Sequence, residues 1–126
     1  MFFDSYAWLE YLSGSAAGER VRTLMDQVAV IHTAPIVLAE VYSKLARTVG
    51  AEDATQVVEH ILKRSAVTIA DEEIGVAAGM IHAQEKQRQP TFGMADAFVL
   101  ASARARSVRI VTGDPHFKDM EDAIML

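Results

Sequence analysis

Four short stretches each carry one carboxylate in a setting where chemistry competes with a structural role: Asp4 in FFDSYAW, Glu40 in VLAEVYSKL, Asp96 in FGMADAFVLASA and Asp114 in VRIVTGDPHF. Each acid has a local explanation. Asp4 or Ser5 can cap a helix by accepting a backbone N–H bond. Glu40 stands four residues before Lys44, the favourable order for an exposed ion pair contributing about 0.3–0.5 kcal/mol. Asp114 precedes Pro115, a pairing typical of a helix start. Asp96 has two readings. Val99 and Leu100 at i+3 and i+4 aim it at apolar surface, where an unpaired carboxylate is costly or takes up a proton. Alternatively it is the N-cap of a helix beginning at Ala97.

The four local explanations are independent of one another, whereas a single site accounts for all four acids. Carboxylates brought that close cannot all stay ionised without cations. Hard oxygen donors, with no cysteine and no clustered histidine, suit Mg²⁺ or Mn²⁺. His32, His60, His82 and His116 are scattered without helical ligand spacing, which argues against zinc. His116, two residues past Asp114, could touch substrate, but a turn-surface histidine is the favoured reading. No phosphate-loop or dinucleotide glycine pattern occurs.

The elements that must position these acids follow from periodicity and turn chemistry. MFF is a short strand ending at Asp4, and SYAWLEYL is a helix broken by Ser13–Ser15. A helix covers Ala16 to Gln27, with Val21, Leu24, Met25 and Val28 at helical spacing. The β-branched run Val28–His32 predicts a strand. Thr33 and Pro35 open a helix that stops at Gly50, and another spans Ala51 to Lys63. Ala66–Ala70 predicts a strand, and the acids Asp71, Glu72 and Glu73 suit the first turn of a helix that ends at Arg88, before Pro90. A helix runs from Met94, a strand covers Val108–Thr112, and AIML is a final strand. Alternating strands and helices predict an α/β fold with a mostly parallel sheet covered on both faces. Sites in such sheets lie outside the carboxyl ends of the strands, where MFFD and VRIVTGD each deliver an aspartate.

The bulk numbers agree with this reading. The chain has 126 residues, fitting one domain over residues 1–126, and 51% of them are hydrophobic, enough for one core. A net charge of −5 argues against sequence-independent binding of nucleic acid through a broadly basic surface. It leaves room for a nucleic-acid enzyme, because carboxylates at a metal site are offset by the cation. No apolar run approaches a membrane span, and the N-terminal stretch has acids and no basic leader, so neither a membrane segment nor a signal peptide is expected. The absence of cysteine suits a reducing, cytoplasmic location.

Taken in order, FDSYAWLE, APIVLAEVYSKL, MADAFVLASA and IVTGDPHF resemble the PIN domain, and within it the small VapC-type toxins of toxin–antitoxin pairs. The resemblance spans nearly the whole chain and rests on the order and spacing of the motifs, with an acid in each. It implies a three-layer α/β/α sandwich with a central, mostly parallel sheet of four to five strands. It also implies a Mg²⁺- or Mn²⁺-dependent endoribonuclease whose metal and catalytic residues fall on Asp4, Glu40, Asp96 and Asp114. The hydroxyls of Ser5 and Thr112 would orient ligands or a bound water. Such proteins usually form homodimers, and a VapB-type antitoxin inhibits them, with DNA bound only through the antitoxin.

As a mechanism, one metal held mainly by Asp4 and Asp96 would polarise the phosphate. Asp114 would bind a second metal or a water, and Glu40 would complete the shell or take a proton. Lys44, Arg47, Arg104 and Arg106 are candidates for contacting RNA phosphates; solvated helix faces explain them equally well. The alternative from another class is a non-catalytic module, either receiver-like or structural, that binds Mg²⁺ or a protein partner. A receiver would need paired acids after the first strand and a lone aspartate near mid-chain, where this sequence offers Asp71 in a helix start.

Overall fold

The computed structural model describes residues 1–126. Its first strand, β1 (Phe2–Phe3), leads directly into α1 (Ser5–Ser13) and α2 (Ala16–Met25). The chain continues through β2 (His32–Thr33), α3 (Pro35–Thr48), α4 (Ala51–Arg64), β3 (Ala66–Val67), α5 (Glu72–Arg88), α6 (Met94–Ala105) and β4 (Ile110–Thr112). A short 3-10 turn over Pro115–Phe117 precedes β5 (Ala123–Met125). The five strands form one sheet in the order β3-β2-β1-β4-β5, and every pairing is parallel. The helices flank this sheet, as the alternation of elements predicts. No helix is long and apolar enough to cross a membrane.

The strand order places the functional edge. From β1 the chain steps outward to β2 and β3, then returns to lay β4 on the other side of β1. The reversal lies between β1 and β4, and crevices in open parallel sheets form at the carboxyl ends of the strands flanking such a reversal. Asp4 follows β1 and Asp114 follows β4, so the two sequence motifs with an acid at a strand end meet there.

A continuous apolar core holds the two central strands. Phe2, Phe3, Ile110 and Val111 are fully buried and pack with Trp8, Val21, Val37, Val41, Ile61 and Leu100. The rings of Phe3 and Trp8 meet edge to face with centroids 5.3 Å apart. Full burial of one such side chain contributes roughly 1.5–3 kcal/mol, so these residues fix the register beneath the site.

The helix bounds follow the caps. Asp71 accepts a bond from the Ile74 N–H, placing it at the N-cap of α5 rather than in its first turn. Pro35 is at the start of α3, where its missing N–H costs nothing. Three strands depart from the sequence reading, β4 by starting at Ile110 rather than Val108. The β-branched run Val28–His32 is not a strand along its length: Val28 closes a turn onto Met25, Val30 is exposed, and pairing begins only at His32. Thr33, read as a helix start, is a buried strand residue paired with Val67. Strand β3 is at the sheet edge and covers only Ala66–Val67 of the expected Ala66–Ala70, leaving Ile69 exposed.

The α1–α2 corner depends on a close backbone approach. A Cβ on Gly18 would lie 2.1 Å from the Glu10 carbonyl oxygen and 2.8 Å from its carbon. Backbone cannot move aside as a flexible side chain can. Gly18→Ala is expected to destabilise the fold by roughly 2 kcal/mol, the overpacking cost exceeding the gain in helix propensity. Urea unfolding measures this, and an unchanged or raised midpoint would show that the two helices separate without cost.

Candidate active site

Each of the four carboxylates reaches one cleft of about 730 Å³ at the carboxyl edge of the sheet. Asp4, Glu40, Asp96 and Asp114 line it together with Ser5, Tyr6, Glu10, Ser43, Lys44 and Arg47. The structure therefore gathers into one place acids separated by up to 110 residues in sequence.

Asp4 is the most buried of the four, at 7% exposure. It is the N-cap of α1, its Oδ1 accepting from the Ala7 N–H at 2.8 Å. Extending the register of β1 on β4 places Asp4 beside Thr112. Burial pushes the Asp4 carboxyl up to about 7; the neighbouring charges of Asp114 and Glu40 add to this, while the Thr112 hydroxyl and the Ala7 amide favour the ionised form. No arginine, lysine or histidine lies within ion-pair distance of Asp4.

Asp96 is not the N-cap of a helix starting at Ala97. Helix α6 starts at Met94 with Gly93 as its cap, and Asp96 in the first turn reaches back so that Oδ2 accepts the Gly93 N–H at 2.9 Å. This is the carboxylate half of a capping box. Asp96 is only partly buried, so the expectation that it points into packed apolar surface is corrected as well. Burial raises its affinity for a proton and the charge of Asp114 adds to that, against the opposing Gly93 amide and His116.

Asp114 caps the 3-10 turn as the Asp–Pro pair predicts, its Oδ1 accepting from the His116 N–H at 2.8 Å. The Asp114 N–H in turn donates to Thr112 Oγ1 at 2.9 Å. Thr112, fully buried, thus bears on both strand-end acids. The turn is tight because Gly113 lies under the Tyr6 ring, where any Cβ would be 2.2 Å from Cε1. Ser5, the first residue of α1, lines the cleft beside Asp4.

Helix α3 supplies the opposite wall. Glu40, Lys44 and Arg47 recur at i, i+4 and i+7 on its exposed face, while Val37 and Val41 are buried on the other. The expected Glu40–Lys44 ion pair does not form, which leaves both side chains facing the cleft. The two other basic candidates are corrected. Arg104 pairs with Asp122 at 2.6 Å, and Arg106 donates to Thr68 Oγ1 at 3.2 Å. Both belong to the last turn and C-cap of α6, whose first turn carries Asp96. A rise of about 1.5 Å per residue takes them roughly 12–15 Å from that acid.

His116, set aside in the sequence reading as a turn-surface residue, stands among the site's acids. Its Nδ1 lies 2.9 Å from Asp114 Oδ1 and 3.7 Å from Asp96 Oδ2, and its Nε2 lies 2.8 Å from Thr91 Oγ1. Ligand atoms of Asp96, Asp114 and His116 fall within 4.8 Å of one another. The signal available in sequence was its position one residue after a turn proline, on a 3-10 turn that folds the ring back over its own cap. Asp71, the aspartate a receiver-like reading would need, is an exposed helix cap outside this cleft.

No curated protein matches the chain. Solved structures do. VapBC2 from Rickettsia felis, bound to a DNA fragment from its promoter, superposes with a TM-score of 0.78 at 16% identity, covering 99% of this chain and 96% of that one. VapBC-1 from nontypeable Haemophilus influenzae gives 0.79 at 15% identity, covering 99% and 95%. VapC20 from Mycobacterium tuberculosis, a sarcin–ricin loop-cleaving toxin, gives 0.76 at 20% identity, covering 95% and 94%. At these identities the likeness is one of fold. The sequence profile described as the PIN domain matches residues 1–123, and with that match over nearly its full length the chain belongs to the PIN domain family.

Proposed function

We propose that this protein is a Mg²⁺- or Mn²⁺-dependent endoribonuclease acting as the toxin of a toxin–antitoxin pair. The observation that carries the reading is the convergence of Asp4, Glu40, Asp96 and Asp114 on a single cleft whose α3 wall carries Lys44 and Arg47. The donor set fits a hard divalent cation. It is dominated by carboxylate oxygens, and its most buried member, Asp4, has no positive partner in the chain. Asp4, Asp96 and Asp114 would hold the ion, with Ser5 and Thr112 orienting them. A cation bound there supplies an activated water and neutralises charge on the scissile phosphate.

The protein's own side chains do the rest. Glu40 alone among the four acids makes no capping bond, so its carboxylate is available to accept a proton from the attacking water. Lys44 and Arg47 hold RNA phosphates on either side of the cut, as positioning rather than sequence-reading contacts. The toxin reading draws on the shared fold with VapC20 and with VapBC complexes. The reading extends to a cytoplasmic homodimer, to a VapB-type antitoxin that covers the cleft and to DNA contact only through that antitoxin; likeness in fold to VapBC complexes supports the antitoxin partner.

Ribonuclease activity with Mn²⁺ or Mg²⁺ tests this. Asp4→Asn and Asp96→Asn are expected to lower the rate at least about 100-fold, equivalent to roughly 3 kcal/mol of lost transition-state stabilisation. Asparagine still accepts the capping N–H bonds, so the fold is retained. Lys44→Ala and Arg47→Ala are expected to raise KM, while Arg104→Ala, outside the cleft, leaves the kinetics unchanged. Parent-like cleavage by both asparagine variants would assign the activity to a contaminant and remove the site.

The Asp4 carboxyl also predicts how stability depends on pH. Its ordinary value of 3.8 is raised to about 7 by folding, so between these limits the native state binds more protons than the unfolded chain. Stability in EDTA is therefore expected to fall as pH rises from 4 to 8, by at most about 4 kcal/mol from this group. Asp4→Asn should flatten that slope. A parent slope that survives in the variant would place the titration elsewhere.

A further inference from the structure

The geometry around His116 points to a donor that the carboxylate set lacks. Its Nδ1 is buried and has no hydrogen-bond partner, although Asp114 Oδ1 is only 2.9 Å away. That approach lies off the ring's N–H direction. A histidine serving only as counter-charge would aim its N–H along the line to the carboxylate. Asp114 Oδ1 already accepts the His116 backbone N–H at 2.8 Å. The far ring nitrogen, Nε2, is 2.8 Å from Thr91 Oγ1. In the tautomer whose Nε2–H donates to Thr91, Nδ1 carries a lone pair, and its atom lies within 4.8 Å of ligand oxygens of both Asp96 and Asp114. Metal-ligating histidines are typically held in this way, the second nitrogen anchored by an oxygen that fixes ring orientation and tautomer. Phe92 steadies the ring from one side, with centroids 5.9 Å apart and planes at 85°.

We infer that His116 joins the carboxylates as a ligand of that cation through Nδ1, on the side of Asp96 and Asp114, making a mixed nitrogen–oxygen centre that prefers Mn²⁺ to Mg²⁺. The inference rests on the metal-centre reading above and names its nitrogen donor. The consequence for selectivity is chemical. Mg²⁺ takes oxygen donors almost exclusively and keeps its waters, whereas Mn²⁺ and the later first-row ions accept imidazole readily. Thr91 is then a positioning residue that acts through the ring.

Mn²⁺ bound to the full chain provides a readout independent of RNA cleavage. Electron spin-echo envelope modulation of the Mn²⁺ complex is expected to show an imidazole ¹⁴N coupling. The coupling should change to that of ¹⁵N when the parent is grown on ¹⁵N-histidine, a substitution that cannot perturb folding. His116→Ala, checked by circular dichroism, should lose the coupling, because His116 is the histidine whose ring nitrogen is grouped with the Asp96 and Asp114 carboxylates. Calorimetric titration should show Mn²⁺ favoured over Mg²⁺ by at least about tenfold, a preference that His116→Ala brings toward unity. Mn²⁺ binding with no nitrogen coupling in the parent overturns the histidine ligand and leaves the carboxylate centre standing. An undiminished coupling in folded His116→Ala does the same. No binding at millimolar Mn²⁺ overturns both.

Discussion

The pairing of β1 with β4 is the constraint on which the site depends. Phe2 lies opposite Ile110 and Phe3 opposite Val111, and all four are fully buried. Carried one residue further, the same register sets Asp4 beside Thr112 and leaves Asp114 two residues beyond. The strands are only two and three residues long, so their backbone bonds alone would hold this alignment weakly. The apolar layer beneath them does the holding. A shift of one residue would turn Phe2 and Phe3 to the opposite faces of the sheet. Roughly 1.5–3 kcal/mol per buried side chain stands behind that alignment, and it is enough to keep Asp4 in a place where burial works against its charge.

The structural and chemical roles of the aspartates turn out to be one arrangement. Asp4, Asp96 and Asp114 each spend one oxygen on a backbone N–H at the start of a helical segment. That bond restrains the carboxylate, and all three residues line the cleft. It also brings the positive ends of α1 and α6 toward the acids, which lowers the cost of their proximity. A cap explains where each acid points, and the cleft explains why three capped acids point the same way. Glu40, on an exposed face in the body of α3, has no such restraint, so its role differs from that of the other three.

Much of this was legible in the sequence because it is encoded locally. Prolines and a glycine marked the ends of α3 and the end of α5, and the strands MFF and VRIVT announced themselves by apolar runs leading to an acid. The resemblance of the ordered motifs to the PIN domain extended this to topology, which periodicity cannot supply. What was not legible depends on tertiary geometry. Val28–Ile31 has strand composition, yet its residues close a turn and pack, and the ladder starts only where Met1 and Ile31 offer carbonyls to His32 and Ala66. His116 looked like a surface turn residue because nothing local says that its ring folds back between two carboxylates. Arg104 and Arg106 were a different kind of miss. Their distance along α6 from Asp96 follows from helix rise alone, and that arithmetic excludes them from the cleft.

The distribution of charge follows from the same geometry. The net charge of −5 gives no broad attraction for a polyanion, and the two basic side chains of the cleft stand one and two turns along α3 from Glu40. Two cations cannot by themselves draw a phosphate backbone toward four acids. On the proposed function the cleft would take its electrostatic sense from a bound ion: with the acids compensated, Lys44 and Arg47 would form a net positive wall, and without compensation the same surface would repel a phosphate backbone. Under that proposal binding and chemistry would be tied to a single event at the end of β1 and β4. An antitoxin side chain carrying positive charge would satisfy the same acids, so the charge imbalance that calls for a cation is also one that a cationic inhibitor can fill.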